Sequence, residues 1–173
     1  MANGYLNEDT QWTQLPPEVR NAFTHGTAEK VLLTPGFAMC KLSDFATINA
    51  PGSGAVSPWW SPLEPYRYDA GWEQRRVLSQ HFGVSIRELS RILVAVKENW
   101  NAMNYLLKVR TRIPVYAFFG GVAGQNRLDA GSTSRRMAGE GSSGSAKLVG
   151  NASQFYIPGL NIYHVKMSGF EHL

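Results

Sequence analysis

The side chains able to do chemistry are spread thinly along this chain. The histidines lie far apart, at positions 25, 81, 164 and 172, and no two of them are four residues apart, so no histidine metal site is predicted. Cys40 is the only cysteine, which excludes an internal disulfide and a cysteine-based zinc site. Ser57 does not stand in the Gly-x-Ser-x-Gly sequence of a hydrolase nucleophile. Metal-dependent and serine hydrolysis are therefore not predicted.

A glycine-rich segment, Gly120-Gly121-Val122-Ala123-Gly124, follows a predicted strand. No Gly-Lys-Ser or Gly-Lys-Thr comes after it, and no helical pattern begins there. The segment is therefore neither a P-loop nor a dinucleotide-binding fingerprint. Backbone amides at Gly120 and Gly121 could still form a small nest for an anion.

Basic residues outnumber acidic ones in the second half of the chain. The whole chain carries 17 Lys and Arg against 13 Asp and Glu, for a net charge of +4. Much of the imbalance lies in one stretch, at Lys108, Arg110, Arg112, Arg127, Arg135 and Arg136. Together with exposed aromatic rings, such a stretch suits single-stranded nucleic acid, whereas a charge this modest also suits an anionic small ligand. The charge alone does not decide between them.

The elements that position these residues belong to one domain. A length of 173 residues, with 43% apolar and 17% charged residues, predicts a single folded unit with its own core. We expect a flexible N-terminal arm over residues 1–14, a domain over 15–173, and a mobile loop rich in glycine and serine at 127–150.

Helical patterns cluster in the middle of the chain, and strand patterns stand on either side. Apolar residues recur every three or four positions from 85 to 110, after a Ser85–Glu88 capping box, which predicts one long amphipathic helix. A shorter helix is expected at 72–81, ending before Gly83. Strand patterns lie at 31–33, 37–42 and 113–119 and near the C-terminus. This order predicts an α+β fold, with mostly antiparallel strands in two small packed sheets and flanking helices.

Three segments, taken in order, resemble the ADP-ribosyltransferase fold of bacterial toxins. The first is the strand Phe37–Leu42, and the second is Val56-Ser57-Pro58-Trp59-Trp60-Ser61. The third is Ala152-Ser153-Gln154-Phe155-Tyr156-Ile157-Pro158-Gly159, which follows the predicted loop. In that family the first strand carries an arginine or histidine, the second a serine, and the third a catalytic glutamate.

The resemblance implies a site that binds NAD as a substrate. It assigns catalytic positions to Lys41, Ser57 and Gln154. Here lysine stands in place of arginine, and glutamine in place of the glutamate. The resemblance also implies that Trp59 and Trp60 offer flat faces to the nicotinamide or adenine ring. The diphosphate would then meet Lys41, Arg127, or the amides of Gly120 and Gly121.

A second similarity leads to a different register. His25-Gly26-Thr27, followed by Leu32-Leu33-Thr34-Pro35-Gly36-Phe37, is similar to the opening of rifampin ADP-ribosyltransferases, in which the histidine belongs to the NAD site. His25 and Lys41 therefore compete for the first site position.

The function that the resemblance implies is NAD-dependent ADP-ribosyl transfer or NAD glycohydrolysis in a bacterial toxin or effector. The acceptor would be a protein or a nucleotide, and a cognate immunity protein is an expected partner. Two alternatives stay open, a catalytically silent nucleotide-binding module of the same fold and a basic nucleic-acid-binding protein. The sequence has no secretion signal pattern, so we expect a cytoplasmic location, or export as part of a larger effector.

Overall fold

The computed structural model describes residues 4–26, 28–97, 100–126, 147–148, 150 and 152–173. In this part of the chain the α-helices are α1 (Pro17–Asn21), α2 (Gly71–Phe82) and α3 (Ile86–Val94). The strands are β1 (Glu29–Leu33), β2 (Ala38–Ser43), β3 (Trp59–Pro62), β4 (Tyr105–Thr111), β5 (Val115–Gly121), β6 (Gln125–Asn126), β7 (Lys147–Leu148), β8 (Ser153–Tyr156) and β9 (Val165–His172). The α+β class is confirmed.

Seven strands form one hydrogen-bonded sheet in the order β1-β5-β8-β3-β2-β4-β9. Every neighbouring pair in it is antiparallel. The two expected sheets are the two halves of this one, joined at β3. Trp59 and Trp60 pair with β8, whereas Ser61 and Pro62 pair with β2. The joining strand therefore brings β2 and β8, two of the three segments that carry the resemblance, beside the third.

Both halves of the sheet contribute to one core. Val31, Phe119 and Phe155 come from one half, and Met39 and Val109 from the other, and all five belong to the same cluster of buried side chains. Since strands far apart in the sheet share this cluster, the sheet curves around a common interior. Apolar burial of this kind is the main stabilising contribution to the fold.

The long helix predicted over 85–110 is wrong beyond its first nine residues. Ser85 does cap α3, because its hydroxyl accepts a hydrogen bond from the Glu88 amide at 3.1 Å. The helix ends at Ala95, which adopts a left-handed conformation with φ of 50°. Residues 105–111 form β4 instead, between β2 and β9. Apolar spacing at 103 and 107 suits either structure, and the ladders on both sides of β4 favour the strand.

The buried face of α3 and the chain after it are held by polar contacts. Arg91 is 6% exposed, and its guanidinium donates to the carbonyls of Val96 and Asn101 at 3.1 and 2.9 Å. Further on, the amides of Gly150 and Ala152 donate to the last turn of α3. These contacts bring the chain after the helix back toward the sheet.

The remaining predicted elements are placed as follows. The helix predicted at 72–81 is confirmed as α2, and Gly83 ends it with φ of 64°. Residues 4–14, the expected arm, contact β5, where Leu6 bridges to Val115 and Trp12 packs against Phe118. Most of the loop predicted at 127–150 lies outside the described residues. The strand just before it, β6, pairs with β7 near its end.

Candidate functional site

A cleft of about 670 Å³ opens where β2, β3 and β8 meet the three helices. Lys41 from β2, Trp59 and Trp60 from β3, and Gln154 from β8 all line it. Its volume lies within the range of roughly 300–1,000 Å³ that is usual for small-molecule and cofactor sites. The sheet thus brings together four of the residues that the sequence singled out.

Gln154 is held in the cleft by α1. Its Nε2 donates to the carbonyl of Ala22 at 2.8 Å, and the backbone of Gln154 pairs with Gly120 of β5. No described residue donates a hydrogen bond to its Oε1. An amide side chain fixed in this way presents a hydrogen-bond acceptor at a set position, which suits a hydroxyl group of a ligand.

Lys41 and Ser57 form a pair at the other side of the cleft. The Lys41 Nζ donates to the Ser57 Oγ, which also accepts a bond from the Trp59 amide at 3.3 Å. Ser57 is not among the residues that line the cleft, so its hydroxyl holds the Lys41 ammonium from outside the cleft. None of the described carboxylates forms an ion pair with Lys41.

Burial changes the charge behaviour of this lysine. The loss of hydration lowers the pKa of Lys41 from 10.5 to about 8. In the unfolded chain the amine would keep its ordinary pKa. Between pH 8 and 10.5 the unfolded state therefore binds more protons than the folded state, and stability should rise with pH across this window.

We expect Lys41→Met to remove that rise. Below pH 8 both states carry the charge and the burial penalty is fully present, while above 10.5 neither state carries it. The wild type should therefore gain stability relative to the variant from pH 8 to 10.5. Urea denaturation of both proteins would measure this as a fall in the unfolding free energy of the variant minus that of the wild type. Lys166→Met, at an exposed lysine of β9, is the matched control and should track the wild type. A constant difference for Lys41→Met would contradict the buried cation.

The two tryptophans have different surroundings. Trp60 is 2% exposed, and its Nε1 donates to the Ser57 carbonyl at 2.7 Å, so most of its ring belongs to the core. Trp59 is half-buried and packs against Phe23 and Tyr156, with ring centroids 5.7 and 4.6 Å away. Trp59 is therefore the more accessible of the two for stacking with a ligand.

The other predicted site residues lie elsewhere. His25 is exposed at a left-handed position with φ of 61°, and it does not line the cleft. Gly120 and Gly121 are paired with Gln154 and Ser153 in the sheet, and the residues that follow them line the cleft instead. Arg127 lies outside the described residues. Of the two competing first-site positions, Lys41 is the one in the cleft.

Sequence reasoning missed the contribution of α2. Trp72 and Arg75 of this helix line the cleft, and both are buried, at 3% and 5% exposed. The signal that could have found Arg75 is its spacing. Arg75 stands three positions after Trp72, which places both on one face of the helix, so an arginine was directed toward the interior.

Cys40 also lines the cleft but is not a nucleophile. Its side chain is 1% exposed, and burial raises the pKa of its thiol to about 12. The reactive form of cysteine is the thiolate, which is almost absent at neutral pH when the pKa is this high. Covalent catalysis by Cys40 is therefore disfavoured.

The cations of the basic stretch have partners where the structure describes them. Lys108 pairs with Glu171 at 3.4 Å, and Arg110 pairs with Glu64 at 3.3 Å. The Arg112 Nε donates to a backbone carbonyl. These contacts engage cationic groups that would otherwise be free to bind the phosphates of a nucleic acid.

The described residues contain no group of three or more His, Cys, Asp or Glu side chains placed to share a metal ion. None of the helices described has the length and apolarity needed to cross a membrane.

Comparison with known proteins gives structural similarities only. No protein-family model matches the chain, and no curated protein matches it. Rhs1-CT, solved in complex with its cognate immunity protein RhsI1, is similar with a TM-score of 0.44 and 14% identity, over 84% of this chain and 80% of that one. Tne2 in complex with Tni2 has a TM-score of 0.47 and 14% identity, over 85% and 92% of the two chains.

Tse6 in complex with Tsi6 is similar over 94% of this chain and 90% of that one, with a TM-score of 0.39 and 12% identity. All three scores are below 0.5. They therefore define no activity for this chain.

Proposed function

We propose that the cleft binds NAD and breaks its nicotinamide–ribose bond, as a glycohydrolase or an ADP-ribosyltransferase of a toxin or effector. One observation carries the proposal. Lys41, Trp59, Trp60 and Gln154 come from three separate segments that the resemblance assigned to an NAD site, and they line one cleft.

The reaction is a glycosyl transfer that needs no redox partner. The bond between C1′ of the ribose and the pyridinium nitrogen breaks, and nicotinamide leaves with the bonding electrons. A water oxygen then bonds to C1′ and releases a proton, which gives ADP-ribose. In the transfer reaction an acceptor nucleophile takes the place of water. Positive charge develops on the ribose in the transition state, so an electron-rich neighbour stabilises it.

The residues of the cleft divide into a cationic side and an acceptor side. Arg75 supplies positive charge from α2, which suits the diphosphate and disfavours a nearby cationic ribose. Gln154 lies beside Ala22, at the C-terminal end of α1, and offers its Oε1 to a ribose hydroxyl. Glu18 is the one carboxylate among the described lining residues, and it belongs to the same helix. We place the reacting ribose on this side.

The decisive experiment is incubation of the purified protein with NAD, followed by chromatographic measurement of nicotinamide and ADP-ribose. We expect both products in equal amounts for hydrolysis, or nicotinamide in excess when an acceptor protein is added. A silent binding module would bind NAD and release nothing. Release no faster than in a protein-free control, with and without cell extract, would overturn the enzymatic proposal.

A dedicated inhibitor protein belongs to the same proposal. Rhs1-CT was solved with its cognate immunity protein, and we propose a partner of that kind for this chain. An immunity protein that covers the cleft would block entry of NAD and stop nicotinamide release. The expected acceptor, a protein or a nucleotide, is part of the proposal in its transferase form.

A further inference from the structure

Arg75 is a buried cation without an anion. It is 5% exposed, and among the described residues no carboxylate oxygen lies within 4.0 Å of its guanidinium. Its Nη2 is fully shielded and has no hydrogen-bond partner. Its nearest described aromatic ring is that of Trp72, with the guanidinium carbon 5.7 Å from the ring centroid.

The neighbouring arginine has the ordinary environment. Arg76 stacks on the same Trp72 ring at 5.8 Å, but it forms ion pairs with Glu73 and Glu171. It lines a separate groove between α2 and the strands β4 and β9, together with Lys108 and Glu171. The two arginines are consecutive on one helix, so the contrast in pairing is due to the direction in which each side chain points.

An unpaired charge in the interior is strongly unfavourable, which is why buried charges in proteins are paired or bind an ion or ligand. A second unpaired donor lies beside this one. The Trp72 Nε1 is buried and has no partner either, and Trp72 also lines the cleft. Arginine and the indole N–H can only donate, so the group that satisfies both must be an acceptor.

We propose that Arg75 and the Trp72 Nε1 form a subsite for the phosphoryl groups of the ligand in the cleft. A guanidinium and an indole N–H match a phosphoryl group better than a single carboxylate, because the guanidinium can bond two oxygens at once and the indole N–H can bond a third. The inference rests on the proposed function only for naming the ligand, since a diphosphate is the anionic part of NAD. The subsite itself can be tested without any reaction.

The test is calorimetric titration of the unmodified chain with inorganic pyrophosphate, ADP-ribose and adenosine. We expect the first two to bind and adenosine, which lacks phosphate, to bind much more weakly. In Arg75→Met the affinity for pyrophosphate should fall by about 10- to 100-fold, the usual effect of losing a charged hydrogen bond. Arg76→Met is the matched control and should bind like the wild type.

A structural role for Arg75 would give a different pattern. If the guanidinium only supports the fold, Arg75→Met should unfold at a lower temperature while its pyrophosphate affinity stays unchanged. If it forms a ligand subsite, the free variant should be at least as stable as the wild type, because an unpaired buried charge has been removed. Should Arg75→Met fail to fold, Arg75→Lys decides, with weaker pyrophosphate binding expected and equal binding overturning the subsite.

Failure of this inference and failure of the proposed function can be told apart. Pyrophosphate binding that depends on Arg75, without nicotinamide release from NAD, would keep the subsite and remove the reaction. Nicotinamide release that persists unchanged in Arg75→Met, with no pyrophosphate binding to the wild type, would keep the reaction and overturn the subsite.

Discussion

Replacing Gln154 with alanine is expected to lower nicotinamide release by about 10²–10³-fold, the usual effect of removing one fixed electrostatic contact to a transition state. The bond from its Nε2 to the Ala22 carbonyl holds the side chain, so its Oε1 meets the ribose at no further ordering cost. Alanine keeps the strand and removes the acceptor. Steady-state kinetics with NAD should show the loss in kcat, with a smaller change in KM.

The control for this substitution is another glutamine of the same chain. Gln80 is exposed on α2, away from the cleft, and Gln80→Ala should keep the activity of the wild type. Circular dichroism on both variants would establish that each remains folded. Full activity in a folded Gln154→Ala protein would contradict the assignment of the third segment to the site.

Phe155→Ala is expected to have the largest effect on stability and to lower the free energy of unfolding by about 3–5 kcal/mol. Phe155 follows Gln154 on β8 and points to the opposite face of the sheet, where it is fully buried. Its ring packs against Phe119, Phe37 and Tyr66, with centroids 4.9, 5.5 and 5.5 Å away. Truncation would leave a cavity at the centre of the core, and urea denaturation would measure its effect.

Phe170→Ala is the matched comparison, because this phenylalanine of β9 is 55% exposed. A change within about 0.5 kcal/mol of the wild type is expected there, as for most surface substitutions. Similar losses in the two variants would mean that the interior around Phe155 is not packed as described.

The local pattern of residues predicts several elements correctly. The prolines before Val19 begin α1, Gly83 ends α2, and the Ser85 hydroxyl caps α3, all by interactions within a few residues. The strand at 37–42 also follows from an apolar run after the Pro35-Gly36 turn, and the strand at 113–119 from its β-branched and aromatic content. The α+β class could be predicted because it depends mainly on these local signals.

The resemblance also led to part of the candidate site. Lys41, Trp59, Trp60 and Gln154 come together in the cleft, although the sequence alone left His25 and Lys41 as equal alternatives. The tertiary structure distinguishes them, because Lys41 is among the residues that line the cleft and His25 is exposed outside it.

What the sequence determined by itself is the set of short elements and the residue types that each one carries. The tertiary structure decided which strands pair, that residues 105–111 complete the sheet instead of extending α3, and that Arg75 faces inward while Arg76 meets Glu171. The physical reason is that ladder hydrogen bonds and the hydration of a charge depend on residues far away in the chain. Periodicity within one segment contains no information about those partners.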